Sequence, residues 1–291
     1  MPPPRKFADA NAWAAGQPDI IVSTKDMIKT ANSPDWWGEI ESVPVGLTED
    51  RYVASVEIKE VNDVDSTAQS GRETVGGAYI YHHMIWSTKV PDADGNMPGI
   101  LDPSTVNWPV HEVGRNADVF DPEGGRLLKA GSYIVSDSVH MHSNGRDTKG
   151  HLEIGFRFHP KGYKPKYQAA FIGLGNGVDI SITGNEKDQQ LHAYTVLNNH
   201  TKITSFEPHL HAPGERMCLE AIWGYNVETL SCVGYDHNWV RGYTYEDHAA
   251  PLLPKGTVLH IVGYMNNTTS NPNVPDPRNW QGSGNRSVAN M

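Results

Sequence analysis

The sequence predicts a mainly β protein made of two antiparallel, jelly-roll-like β-sandwich domains in tandem. Three observations carry that expectation. Apolar and polar residues alternate with period two along much of the chain, and helical periodicity is weak everywhere. The 28 glycines and 20 prolines among 291 residues supply the turns that many short strands need.

Taken in order, residues 1–16 read as an N-terminal tail. IVSTKDMIKTA (21–31) is the best short helical candidate. In RYVASVEIKEV, Ala54, Val56 and Ile58 alternate with Ser55, Glu57 and Lys59. In HLEIGFRFH, Leu152, Ile154, Phe156 and Phe158 share one face. Segment 91–109 reads as a long loop. The Pro-, Gly- and Lys-rich stretch 159–177 separates two strand-dense regions, which sets the domains at 17–177 and 178–291. TVLHIVGYM is apolar on both faces, as a strand between packed layers should be, and the tail from Ser270 is loop-like. Cys218 and Cys232 flank a hairpin whose loop is read as Gly224, Tyr225 and Asn226. Counting outward from Trp223 and Val227 places the two cysteines opposite one another, so a cross-strand disulfide and two free buried thiols are both open.

Composition excludes several functions. With 24 basic and 34 acidic side chains the net charge is −10, which argues against a phosphate-tracking surface and hence against nucleic acid. No apolar run approaches the length of a membrane span. MPPPRKFADANAWAAGQ lacks the apolar core of a secretory signal, so the chain is either cytosolic or exported by a segment outside this sequence.

The 14 histidines direct attention to clusters. On an extended strand His209 and His211 leave the same face, where two imidazoles can converge on one ion while Leu210 turns into the core. His-x-His alone is weakly specific. In SYIVSDSVHMH, Ile134, Ser136, Ser138, His140 and His142 share one face, and Tyr133, Val135, Asp137, Val139 and Met141 the other. Spacing alone favours a solvated strand end for that histidine pair. His82 and His83 are adjacent, so regular pleating sends one to the core and one to the surface. One ion can hold both only at a bulge, kink or strand end.

In register, these segments resemble the copper type II, ascorbate-dependent monooxygenases, the family of peptidylglycine and dopamine hydroxylases, and in particular its bacterial branch. HHMIWST (82–88) is similar to the family's His-His motif, and HMHSNG (140–145) to its later His-containing Asn-Gly segment. FEPHLHAPGERM (206–217) resembles the His-x-His motif, YDHNWVRGY (235–243) the Tyr-Asp-x-Asn-Trp stretch, and LPKGTVLHIVGYMNNTTSNPNVPDP (253–277) the bacterial Leu-Pro-Lys-Gly segment. The likeness covers roughly residues 17–291. It implies two copper ions per chain, one in each sandwich, facing a shared cleft. His82, His83 and His140 would hold an electron-transfer copper. His209, His211 and Met291 would hold the catalytic, oxygen-activating copper, because imidazole suits both oxidation states and a thioether favours Cu(I). His142 is a rival to His140, and Met265 a rival to Met291, which as the last residue would hang on a chain end. The implied activity is hydroxylation of an organic C–H bond by O2 with ascorbate or a similar reductant, on a small-molecule or peptide substrate. The implied location is periplasmic or extracellular.

Two other readings compete. A single-metal cupin-like enzyme would use His209, His211 and Glu215, although His260 is one residue out of step with the second cupin motif and Ile222 stands where a glycine belongs. A non-catalytic β-sandwich binding or scaffold module needs no metal at all. Trp36, Trp37 and Trp239 read by default as core or domain-interface residues. His111, His151, His159, His192, His200, His237, His248 and His260 show no usable pairing pattern.

Overall fold

The structure, a computed structural model, describes residues 12–64, 78–99, 102, 104–113, 117–175, 179–237 and 240–284, with Asp137 as backbone only. The fold is mainly β, and the described residues include one short 3-10 turn and no α-helix. The chain divides into two compact units, Met1–Phe171 and Ile172–Met291, six residues before the boundary expected from composition. No helix among the described residues is long and apolar enough to cross a membrane.

In the first unit a seven-stranded sheet holds β1 (Ile20–Ser23), β2 (Met27–Lys29), β4 (Arg51–Asn62), β8 (Ala117–Val119), β9 (Gly124–Leu128), β11 (Thr148–Phe158) and β12 (Tyr167–Gln168). A five-stranded sheet holds β3 (Trp36–Pro44), β5 (Tyr81–Lys89), β6 (Val106–Asn107), β7 (His111–Glu112) and β10 (Tyr133–Met141). The two sheets close over one core. Val56, Ile58, Leu152, Ile154 and Phe156 come from the large sheet, and Ile40, Met84, Trp86, Ile134, Val139 and Met141 from the small one. This is the expected sandwich. The helical candidate at 21–31 is instead two short strands, β1 and β2, both paired with β11; its apolar residues serve a sheet edge.

Bulges overrule simple alternation three times in this unit. Ala54 is skipped where Phe158 pairs with Val53 and Arg157 with Ser55, so Val53 rather than Ala54 enters the core. In β10 the register shifts between Ile134 and Val139, and inward-facing positions change from even to odd numbers. The predicted common face of Ile134 and His140 is therefore wrong: Ile134 is core, while Val139 and Met141 take the inward positions beside His140. The third bulge lies at His82 and is described below.

The second unit has one four-stranded sheet, ordered β13 (Glu186–Val196), β20 (Val258–Asn267), β16 (Gly214–Trp223) and β17 (Asn226–Gly234). Its inner face carries Ala193, Met217, Leu219, Ala221, Leu259, Ile261 and Met265. Two ribbons contribute the opposing layer: β14 (Thr201–Lys202) with β19 (Leu252–Leu253), and β15 (Ser205–Phe206) with β18 (Tyr243–Thr244). Ile203, Phe206, Leu210 and Leu253 fill the space between. Cys218 and Cys232 are opposite one another and disulfide-bonded. The path to that pairing differs from the expected one. The turn has two residues, Gly224 and Tyr225, with Trp223 facing Asn226, and a bulge at Leu230 restores the register. Gly224 at φ +55 supplies the left-handed first position that such a tight hairpin requires.

Candidate metal centre

The first cluster is produced by a backbone irregularity. Met141 pairs with Tyr81 and His140 with His83, so His82 is an extra residue without an opposite on β10. Tyr81 and Met84 both face the core, and the bulge turns both intervening histidines to the other side of the sheet. The expectation of one core and one surface histidine is thereby corrected. His82 and His83 are both buried, at 4% and 3% exposure, and so is His140 at 1%. One ring nitrogen from each lies within 4.8 Å of the others, a spacing from which small ring rotations bring three imidazoles onto one ion. Among the described residues this is the one group of three or more His, Cys, Asp or Glu side chains so placed.

Cross-strand pairing lays out the surroundings. Trp37 of β3 is opposite His140, His140 opposite His83, and His83 opposite Glu112 of β7, forming one row across the sheet. The Trp37 ring stacks flat on His140, with centroids 4.6 Å apart at 6°, and meets His83 edge-on at 4.6 Å. Trp37, read from sequence as core or interface, is thus a wall of the histidine cluster. His140 Nε2 lies 3.2 Å from Asp35 Oδ2. A carboxylate only accepts, so the ring proton sits on Nε2, and His140 Nδ1 is left as a bare, buried acceptor without a hydrogen-bond partner. That hydrogen bond holds the Asp35 carboxyl below its usual range against the opposing effect of burial. The Nδ1 atoms of His82 and His83 are likewise sealed from solvent.

His142 follows the end of β10. Its ring centroid is 5.4 Å from that of His82 and 6.4 Å from that of His140, and it stands outside the three-nitrogen group. Burial, with His140 close by, pushes its imidazole below the usual value. Upstream of the bulge, Glu60 accepts the amides of Ile80 at 2.9 Å and Tyr81 at 2.9 Å, fixing the entry to the histidine pair. Burial drives that carboxyl up to about 7. Asp35, Glu60 and Trp37 are the contributors that sequence reasoning missed, since no motif marks them.

The second pair is on a loop. His209 and His211 lie between β15 and β16 with no ladder partner, rather than on the strand expected from their spacing. Their ring centroids are nevertheless 5.3 Å apart, at 77°. Leu210 is buried at 2%, as expected, and it seats over Gly214, where a Cβ would stand 2.4 Å from Leu210 Cβ. The loop is tied down by hydrogen bonds. Tyr235 Oη donates to the Leu210 carbonyl, the Asn266 amide to Pro213 O at 2.7 Å, and Asn271 Nδ2 to Ala212 O at 3.0 Å. These anchors lie in the same two downstream segments, 235–243 and 253–277, that carried the resemblance.

Of the sulfur candidates, Met265 is a core residue at 1% exposure whose methyl group shares the space above Gly263 with Leu210. Met291 and Trp239 lie outside the described residues. Glu215, the acidic ligand required by the cupin reading, is exposed and accepts from Asn266 Nδ2 at 2.7 Å. It forms no three-ligand group with His209 and His211. No family model matches the chain, and no curated protein matches it either.

Proposed function

We propose that the protein is a copper-dependent monooxygenase that hydroxylates an organic C–H bond with O2 and an external reductant such as ascorbate. The observation that carries this reading is the bulge at His82, which gathers two adjacent histidines and His140 into one buried all-imidazole group. Three neutral nitrogens without a carboxylate suit copper better than hard, oxygen-seeking cations. Copper held at this group and at His209, His211 and Met291 would supply one electron at each site, the two that inserting one oxygen atom from O2 requires.

The chain's own residues have definite tasks in this reading. Asp35 keeps the His140 proton on Nε2 and leaves the lone pair on the buried Nδ1, the usual outer-sphere device for fixing the tautomer of a ligand imidazole. Trp37 covers the face of His140 and abuts His83 edge-on, excluding water from that side. Glu60 holds the strand entry rigid, which confines the histidines to one arrangement. The loop bearing His209 and His211 is half-open by comparison, with His211 buried and His209 partly exposed. That suits the site where O2 and a small-molecule or peptide substrate must enter. A disulfide and the family resemblance support a periplasmic or extracellular location.

Copper stoichiometry after reconstitution, read together with ascorbate-dependent O2 uptake, tests the proposal. Wild type should hold two coppers, and His83→Ala and His209→Ala one each, with O2 uptake abolished in both. X-ray absorption should show a sulfur scatterer that disappears in Met291→Ala. Absence of copper binding in wild type would leave the scaffold reading; a single ion retained in His83→Ala and lost in His209→Ala would favour a one-metal enzyme.

A further inference from the structure

The first histidine cluster contains a fourth imidazole with an unused lone pair. His142 stands just past the end of β10, where its backbone amide donates to the Ile80 carbonyl at 3.0 Å and its ring lies beside those of His82 and His140. The Tyr79 carbonyl accepts a hydrogen bond from the His142 ring. A carbonyl only accepts, and His142 Nε2 has no hydrogen-bond partner among the described residues, so the proton is on Nδ1. Nε2 is therefore a bare acceptor, sealed from solvent although the ring as a whole is only partly buried. A buried lone pair without a donor is unfavourable and calls for a reason. His140 Nδ1 is in the same condition, with Asp35 in the part that the Tyr79 carbonyl plays for His142.

Ring positions supply a second observation. Two imidazoles held by one ion through nitrogens about 2.0 Å away have centroids about 5 Å apart at tetrahedral angles and about 6 Å apart when opposite one another. His82 is 5.5 Å from His83, 5.0 Å from His140 and 5.4 Å from His142, and His83 is 5.2 Å from His140. His140 and His142 are the widest of these pairs, at 6.4 Å. The five separations suit a flattened tetrahedron with His140 and His142 on its long edge. His142 falls outside the group whose nitrogens already lie within 4.8 Å of one another, so its ring must still close in. Its partial exposure and its place beyond the last residue of β10 leave it room to do so. Three imidazoles suffice for Cu(I), whereas Cu(II) takes a tetragonal set of donors. A fourth nitrogen just beyond the first three therefore serves one oxidation state more than the other.

We propose that His142 is a fourth imidazole ligand of the copper held by His82, His83 and His140, engaged in the Cu(II) state and disengaged in the Cu(I) state. The inference rests on the copper reading of this cluster and deepens it, since His142 joins His140 rather than replacing it. The His142 ring takes the position that water would otherwise fill. A ligand that favours Cu(II) alone lowers the potential of that copper and makes it the stronger electron donor.

The test uses full-length His209→Ala protein loaded with copper, in which the first site alone should be filled. Pulsed electron paramagnetic resonance of the Cu(II) form should count four imidazoles, and three once His142→Ala or His142→Gln is added. X-ray absorption of the Cu(I) form should give three nitrogens in all of these proteins. Each His142 substitution should weaken Cu(II) binding at least about 10-fold and leave Cu(I) binding unchanged. That difference raises the copper potential by at least about 59 mV. A purely structural role would weaken both oxidation states equally, and that result would overturn the proposal. Three imidazoles on Cu(II) with His142 in place would overturn it too, while leaving the copper reading intact. Absence of copper from the first site of His209→Ala would refute the copper reading itself, and this proposal with it.

Discussion

The two histidine sets are built in opposite ways. His82, His83 and His140 come from neighbouring strands in the middle of a sheet, and their convergence is written into strand register and one bulge. His209 and His211 stand on a loop with no ladder partner, and their convergence depends on what holds that loop: Leu210 packed beneath it, and Tyr235, Asn266 and Asn271 donating to its carbonyls. A sheet fixes ligands through many cooperative hydrogen bonds, whereas a loop fixes them through a few replaceable contacts. The first site should therefore resist single substitutions outside its ligands, and the second should not. For a reaction that needs one copper to store an electron and another to meet O2, a rigid site and an adaptable one suit the two tasks.

The largest effect expected away from the ligands is at Leu210. Leu210→Ala should destabilise the second unit by about 2–5 kcal/mol, measured by urea unfolding. It should also release the loop, so the copper at His209 and His211 should weaken while the one at His82, His83 and His140 is unchanged. Equal weakening at both sites would break the contrast. Next comes the disulfide, which closes a loop of sequence separation 14 between β16 and β17, downstream of the histidine pair. Cys218→Ser with Cys232→Ser should cost about 3 kcal/mol on loop-entropy grounds. Thermal unfolding should show that cost in the second unit and leave the first unit's transition in place.

The first unit carries a pH dependence of stability through Glu60. Glu60 has its carboxyl raised by burial from 4.5 to about 7, while the anchors of the second loop are neutral amides and a phenol. Between these two values the folded protein binds more protons than the unfolded chain, so stability of the first unit falls as pH rises from about 4.5 to 7 and levels off above. The full change should be at most roughly 3 kcal/mol. Glu60→Gln, followed by urea unfolding at several pH values, should flatten that slope. A slope that survives the substitution would assign it to another group.

The fold class and much of the core were legible in the sequence because alternation reports burial directly. Leu152, Ile154 and Phe156 behave as their spacing says, and so does Leu210. What failed was register. Period two assumes an unbroken ladder, and each of Ala54, His82 and the 135–138 stretch inserts or shifts residues, after which every inference about faces inverts. For His82 and His83 that failure is what brings their rings together, since regular pleating would have parted them. The hydrogen bond between His192 and His260 was invisible for a different reason. The two are 68 residues apart and meet only through the pairing of β13 with β20, which no local pattern encodes. The shorter turn and the bulge at Leu230 cancelled, so the cysteine pairing came out right by a path that did not.

The smallest effect expected is also the one that most sharpens the rigid-site argument. Asp35 lies at 3.2 Å from His140 Nε2 and sets which nitrogen carries the proton, while Trp37 independently holds the plane of the ring. If both constraints act, Asp35→Asn removes the charge that favours the Nε2 proton but leaves the stacked ring in place. Copper affinity at this site should then drop about 10-fold, read by competition against a chelator, with stoichiometry unchanged. Trp37→Leu alone should cost no more than that, and the pair of substitutions should cost more than their sum, because neither remaining contact then orients the imidazole. An additive pair would mean that the sheet backbone by itself aims His140, which would make the bulge the whole of the design.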